Sequence, residues 1–313
     1  MALRPFTDES LEALLKSRIE SLKTNAAALP QELNEYLRVS FKRISYTLGL
    51  MRKYYRKDKG KVLEIGCFPF FLTTAMLEFS DDTLTGISAP EGLWPGAPYE
   101  IKQENAFIRA VGKVYQFPYW QVNAEKDRFP FEDKTFDMVL CSEVIEHLVH
   151  SPVNMICEIN RVLKDDGILI LTTPNGLFWE YLYKLFFYGS WEPYSKYGVY
   201  GRHNRLWALN EACDILEGNN LKVIHSFSRY SRDNTRELMS KKNFTLVNFI
   251  QDIGYIFFGL LFKLPVAFFQ KKKGDQLYIV AQKKAEAIRY CPGYLYDTNF
   301  IYNVEDPARD EVK

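Results

Sequence analysis

A change of rhythm at Lys61 limits the fold of this chain more than any other feature. From there, short apolar runs alternate with longer amphipathic ones. Lys61-Val-Leu-Glu-Ile-Gly66 predicts a strand ending on glycine, and Phe70 to Phe79 a helix. Thr83 to Ile87 predicts a second strand, Tyr119 to Val122 a third, and Phe136 to Cys141 a fourth. Helices are expected from Val144 and from Val153 to Leu163, and then a fifth strand over Ile168 to Thr172. A helix over Asn210 to Glu217 leads to a sixth strand at Leu221 to Phe227, and Gln276 to Gln282 alternates like a last one. Strands and helices taking turns at this spacing predict a mostly parallel sheet covered on both faces. Right-handed crossovers then place a ligand at the carboxyl ends of the strands, where strand order switches.

Ahead of this pattern, Leu11, Leu14, Leu15, Ile19 and Leu22 recur at helical spacing, with Lys16, Arg18, Glu20 and Lys23 on other faces. Pro30 separates this helix from a second, expected from Glu32 to Tyr55. The pair reads as a packing element, with a substrate lid as the other reading. Residues 1–58 are therefore expected as a helical segment, 59–284 as the α/β domain, and 285–313 as a C-terminal extension. Two insertions interrupt the domain. Residues 177–201 are rich in aromatic side chains, and 229–275 are basic at both ends around an apolar stretch, 246–269. Its cleanest run, Ile253 to Phe262, is too short to span a bilayer, so an interfacial helix or a hydrophobic lid is expected.

The bulk numbers exclude some classes. With 40 basic and 39 acidic residues among 313, the chain has no global field to gather nucleic acid. No nucleic-acid partner is expected. The five cysteines are scattered, odd in number and never spaced as CxxC, which predicts reduced thiols and not a disulfide or zinc framework. With a polar, acid-bearing start, they predict a cytoplasmic protein, with membrane association through 246–269 as a further reading. That stretch and the aromatic insertion suit a partly apolar acceptor, or equally a homodimer interface.

Two segments carry a specific likeness. FPFEDKTFDMVLCSEVIEHL (129–148) and EINRVLKDDGILILTTPN (158–175) resemble the class I, S-adenosylmethionine-dependent methyltransferases. The tail Gly201-Arg-His-Asn-Arg-Leu-Trp207 resembles a subset that modifies glycans or lipids in bacteria and archaea. The resemblance covers residues 61–227 and 276–282, and implies a Rossmann-like sheet of seven strands, the last antiparallel. It implies S-adenosylmethionine as cofactor and methyl transfer to a small-molecule, glycan or lipid-linked acceptor, with a hydroxyl as the expected site.

Carried over residue by residue, the resemblance assigns cofactor contacts to Glu64, Gly66, Cys67, Ser88, Asn123, Ala124 and Ser142. Glu64 would face the cofactor's ammonium group. Four positions depart from the family pattern. Phe68 and Phe70 stand where it usually has glycines, Ser88 stands where a ribose-binding acid is usual, and Asn123 stands where an Asp often meets the adenine amino group. Glu91 is the nearest substitute acid. The phenylalanine rings are expected either to meet the sulfonium through cation–π attraction or to pack under the loop.

A hydroxyl acceptor needs its proton managed, and histidine is best tuned for that near neutrality. His203 is the first candidate base and His147 the second; the plain reading of each is a hydrogen-bonded structural histidine. His225 alternates within a strand and reads as structural. The spacing of Glu143, Glu146, His147 and His150 (i, i+3, i+4, i+7) puts them on one face of the expected helix, as a metal site would require. No metal is expected, because Glu-His at this place belongs to the family pattern and no further ligand is evident. The alternative function is a methyltransferase-like scaffold without catalysis, which need not bind cofactor. A dinucleotide oxidoreductase is disfavoured for want of GxGxxG after the first strand.

Overall fold

The computed structural model describes residues 4, 6–23, 30–55, 60–90, 98–188, 202–231, 257 and 274–295. Eight strands form one sheet in the order β3-β4-β2-β1-β5-β6-β8-β7. They are β1 (Lys61–Ile65), β2 (Thr83–Ser88), β3 (Lys102–Ala110), β4 (Lys113–Gln121), β5 (Phe136–Ser142), β6 (Leu163–Pro174), β7 (Leu221–Arg229) and β8 (Gln276–Lys283). β4, β2, β1, β5 and β6 run parallel, and β8 lies antiparallel between β6 and β7. The antiparallel last strand is as expected, but the sheet has eight strands and not seven. The additional one, β3, forms an antiparallel hairpin with β4, turning at Val111 and Gly112. Its solvent-facing residues are polar except Phe107, and only Ile108 and Ala110 are buried, so apolar residues do not mark one face of it with period 2.

The alternation along the central strands fills two cores. Val62, Met138, Leu140, Ile170 and Val280 face α1 (Asp8–Lys23), α2 (Pro30–Tyr54) and α3 (Phe71–Phe79). Their neighbours in sequence, Leu63, Val139, Leu169, Leu171 and Ile279, face α4 (Val153–Val162) and α6 (Leu209–Gly218) on the other side. Burial on both faces explains why these strands read as continuous apolar runs. Trp207 is buried there, its indole N–H donating to the Ile145 carbonyl at 3.4 Å. The C-terminal extension, where described, packs on α6: the Tyr294 hydroxyl donates to the Glu211 carbonyl, and Tyr290 closes over Gly218.

The helix pair is present with nearly the expected bounds. α1 packs on β3, α2 and α3, and the Val111 amide of the hairpin turn donates to Ser17 Oγ at 2.7 Å. The helix expected from Val144 is only a 3-10 turn, Ile145–His147. Glu143 just before it has φ of 57°, so a helix cannot continue through it, and Glu143 and His150 do not share a helix face with Glu146 and His147. The aromatic insertion begins as α5 (Trp179–Tyr188); its remainder lies outside the described residues. So does the apolar stretch 246–269 except for Phe257, which is exposed. Among the described residues, no helix is long and apolar enough to cross a membrane. None of the five cysteines is in a disulfide.

Candidate active site

The chain leaves β1 for β2 and β4 on one side, then returns to place β5 and β6 on the other. Strand order therefore switches between β1 and β5, and a crevice opens outside their carboxyl ends. A shallow cleft lies there, lined by Glu64, Gly66, Cys67 and Phe68 after β1 and by Ser142 at the end of β5. Four of the seven expected cofactor residues thus meet in one place. Ser88, Asn123 and Ala124 sit at or just beyond the ends of β2 and β4 and do not line this cleft. Asn123 Oδ1 already accepts from the Glu125 amide at 3.0 Å, forming a local turn. Glu91 lies outside the described residues.

Glu64 is fully buried, and Thr73 Oγ1 of α3 donates to its Oε2 at 2.5 Å. Burial pushes its carboxyl up to about 8, with the Thr73 bond opposing. Among the described residues no cation stands beside this buried acid, which suits it to a positively charged ligand group. Gly66 has φ of 77°, and a Cβ there would lie 2.4 Å from Val144 Cγ2. Its own amide and that of Cys67 both donate to the Ile87 carbonyl, at 2.8 and 3.1 Å. Gly66 therefore serves the cleft through its missing side chain, not through a free N–H. Ser142 Oγ is buried without a hydrogen-bond partner. A buried orphan hydroxyl beside a cleft is a polar group awaiting a ligand.

The two phenylalanines divide the roles expected of them. Phe70 takes φ of 69°, the left-handed conformation that glycine would adopt at no cost, and packs its ring against Phe117 and Tyr119. Phe68 stays 67% exposed and lines the cleft. One ring packs under the loop, and the other faces the ligand space.

The other wall comes from α2, through Tyr36, Arg43, Ile44 and Thr47. Arg43 is buried, donates to Tyr36 and Ser40, and pairs with Glu143 at 3.6 Å. Burial alone would lower its proton affinity, but the Glu143 carboxylate raises it further, so it stays cationic. Sequence reasoning missed these residues. The signal available was Ser40, Arg43 and Thr47, polar positions embedded in the apolar stripe of Leu37, Ile44, Leu48 and Met51.

Beyond Glu143, the carboxyl edge of β5 and β6 carries a second polar cluster. Glu146 is fully buried, and Thr173 Oγ1 donates to its Oε2 at 2.9 Å. Burial first, and the Glu143 carboxylate second, push the Glu146 carboxyl above the usual range, with His203 opposing. His203 arrives on the loop before α6, its ring centroid 5.0 Å from that of His147. The two histidines singled out from the sequence therefore stand together. His225 packs between Tyr54 and Phe227, a structural place.

A buried acid at the end of the first strand, a glycine beyond it and a cleft at the switch in strand order are the layout of a Rossmann-like sheet. Residues 63–171, about a third of the chain, match the family model described as "Methyltransferase domain". The chain is 31% identical over 157 residues to a ubiquinone biosynthesis O-methyltransferase of Haemophilus ducreyi, covering 46% of this chain and 59% of the relative. It is 27% identical over 127 residues to a tRNA U34 carboxymethyltransferase of Nautilia profundicola, covering 40% and 38% respectively. Both matches thus span less than two thirds of the relative. A solved S-adenosylmethionine-dependent methyltransferase from Archaeoglobus fulgidus overlaps 80% of this chain and 99% of its own, with a TM-score of 0.44 and 15% identity.

The residues present suit the family's cofactor. The buried Glu64 carboxyl complements an ammonium group, and the Ser142 hydroxyl offers a polar contact that nothing else in the cleft uses. Glu64, Gly66, Cys67, Phe68 and Ser142 are the side chains and backbone that would hold it.

Proposed function

We propose that the protein transfers a methyl group from S-adenosylmethionine to a hydroxyl of a small-molecule, glycan or lipid-linked acceptor. The observation that carries this is the buried Glu64 carboxyl and the orphan Ser142 hydroxyl lining one cleft at the switch point. When bound, the cofactor supplies a methyl group on a sulfonium, open to in-line displacement. Glu64 holds the cationic end of that ligand, and Gly66 keeps Val144 from being displaced into its path. Phe68 presents a ring face suited to a cation. Arg43 and Glu143 close the cleft from the α2 side.

The acceptor's hydroxyl is activated at His203 and His147, which lie on the same carboxyl edge as the cleft. A second hollow beside the ends of β6 and β8, lined by Phe178, Tyr181, Lys184 and Gln276, suits a ring with a polar substituent. Gln276 also donates to Glu143, which connects this hollow to the cofactor cleft. The Haemophilus relative is an O-methyltransferase, which supports oxygen as the methylated atom.

Calorimetric titration with S-adenosylmethionine and its demethylated product tests the reading. Saturable binding of both, abolished in Glu64→Gln and unaffected in His225→Ala, is the expected result. A folded protein that binds neither ligand would be a scaffold and not an enzyme.

A further inference from the structure

We infer that Glu146, His147 and His203 form a binding site for one divalent transition-metal ion of the Zn2+, Co2+ or Mn2+ kind. One ligand atom from each of the three lies within 4.8 Å of the others. Glu146 Oε1 is the decisive atom. It is fully buried and lacks a hydrogen-bond partner, while the same carboxylate's Oε2 is fixed by Thr173. A carboxylate oxygen left in this state is costly unless a cation takes it up.

The second observation is the setting of His147. Its Nδ1 lies 2.9 Å from the Arg202 carbonyl, an acceptor only, so Nδ1 carries the proton and donates. Nε2 then carries the lone pair, and it stands 3.9 Å from Glu146 Oε1. Metal-ligating histidines commonly have their other ring nitrogen held by a carbonyl or carboxylate in this way, which fixes both tautomer and ring orientation.

The loop bearing His203 is fastened to the same turn. The amides of Asn204 and Arg205 both donate to the Glu146 carbonyl, at 2.8 and 3.2 Å. Asn204 Nδ2 donates to the His147 carbonyl at 2.8 Å, and Arg202 Nε donates to Asn204 Oδ1 at 2.8 Å. His203 is thus held against Glu146 and His147 by backbone bonds on either side of the cluster. Four-coordinate sites with ligand bonds near 2.1 Å place their ligand atoms roughly 3.3 Å apart, so closing on an ion takes a shift of about 1 Å.

Two imidazoles and one carboxylate suit a borderline transition metal better than a hard cation such as calcium. Three protein ligands also leave at least one coordination position open. His147 and His203 are only half-buried, so the open side faces the carboxyl edge of the sheet. There an acceptor oxygen can join the coordination shell. That role rests on the methyl-transfer reading; binding of the ion does not.

The test uses the full chain without an affinity tag, dialysed against chelator and then titrated with Co2+, following its visible ligand-field absorption. One saturable equivalent is expected, with a low-coordinate spectrum showing nitrogen ligation. His203→Ala and Glu146→Gln should each weaken binding about tenfold or more. Glu146→Gln keeps the side-chain shape and can still accept from Thr173, so loss of binding with an unchanged circular dichroism spectrum is not misfolding. His225→Ala should bind as wild type. No saturable Co2+ binding, or binding indifferent to both substitutions, overturns the assignment. Parallel titration with S-adenosylmethionine separates this failure from failure of the methyltransferase reading.

Discussion

Glu64→Gln should make the cofactor-free protein more stable above neutral pH while removing its grip on the cofactor. Burial raises the Glu64 carboxyl from its ordinary 4.5 to about 8. Between those values, the folded protein keeps a proton that the unfolded chain has released. Stability contributed by this group is therefore complete below pH 4.5 and is lost as pH rises through about 8. At about 1.4 kcal/mol per unit, the fully developed penalty is about 5 kcal/mol above pH 8, an upper bound if the cleft admits water. Gln cannot ionise and can still accept from Thr73, so it escapes the penalty. The assay is urea unfolding of both proteins from pH 5 to 9, reading the difference between them so that other titrating groups cancel. The advantage of Glu64→Gln should grow with pH and level off near pH 8. A bound ammonium group would reverse the preference, so S-adenosylmethionine affinity in the wild type should rise about tenfold per pH unit up to that point. A difference in stability that is flat with pH, or a variant less stable than wild type at pH 8, refutes the reasoning.

Other substitutions probe neighbouring parts of the architecture. Gly66→Val places a branched side chain at φ of 77° and against Val144, which should cost about 2 to 4 kcal/mol in denaturant unfolding and abolish cofactor binding. Arg43→Met leaves the Glu143 carboxylate without its cation and should destabilise the protein by about 3 kcal/mol, measured in the same way. Trp207→Ala empties a fully buried site that also ties down the 3-10 turn, and about 3 to 5 kcal/mol should be lost. His203→Ala should reduce turnover by at least tenfold while leaving S-adenosylmethionine affinity within twofold, as steady-state kinetics and calorimetry would register.

The central sheet was readable because burial on both faces left little choice of residue. Val62 and Leu63 look alike in sequence, although they enter different cores. β3 was not readable, because most of its outward residues are polar, the apolar Phe107 points outward with them, and within it only Ile108 and Ala110 are fully buried. The helix expected after β5 failed for a conformational reason. Glu143 adopts positive φ, and nothing in Ser-Glu-Val-Ile-Glu-His announces that. In the site, Glu64, Gly66 and Ser142 could be placed because each sits at the end of a recognisable strand. Arg43 could not, since its role depends on how α2 lies across the sheet, a tertiary fact that helical periodicity does not encode. The meeting of His147 with His203 likewise depends on a return of the chain across more than fifty residues.

The N-terminal helix gives the molecule a property that no single strand or loop possesses. α1 grips the hairpin turn through Ser17 and Val111, and its Arg18 guanidinium lies 5.9 Å over the ring of Phe70 in the cofactor loop. The outermost strand pair and the loop at the centre of the sheet therefore lean on one shared support. Loosening either end should be felt at the other, as a common rise in amide exchange across residues 102–121 and 66–70. α1 thus acts as a keystone: none of its residues lines the cleft, and yet it holds the floor and the far edge of the sheet in one register.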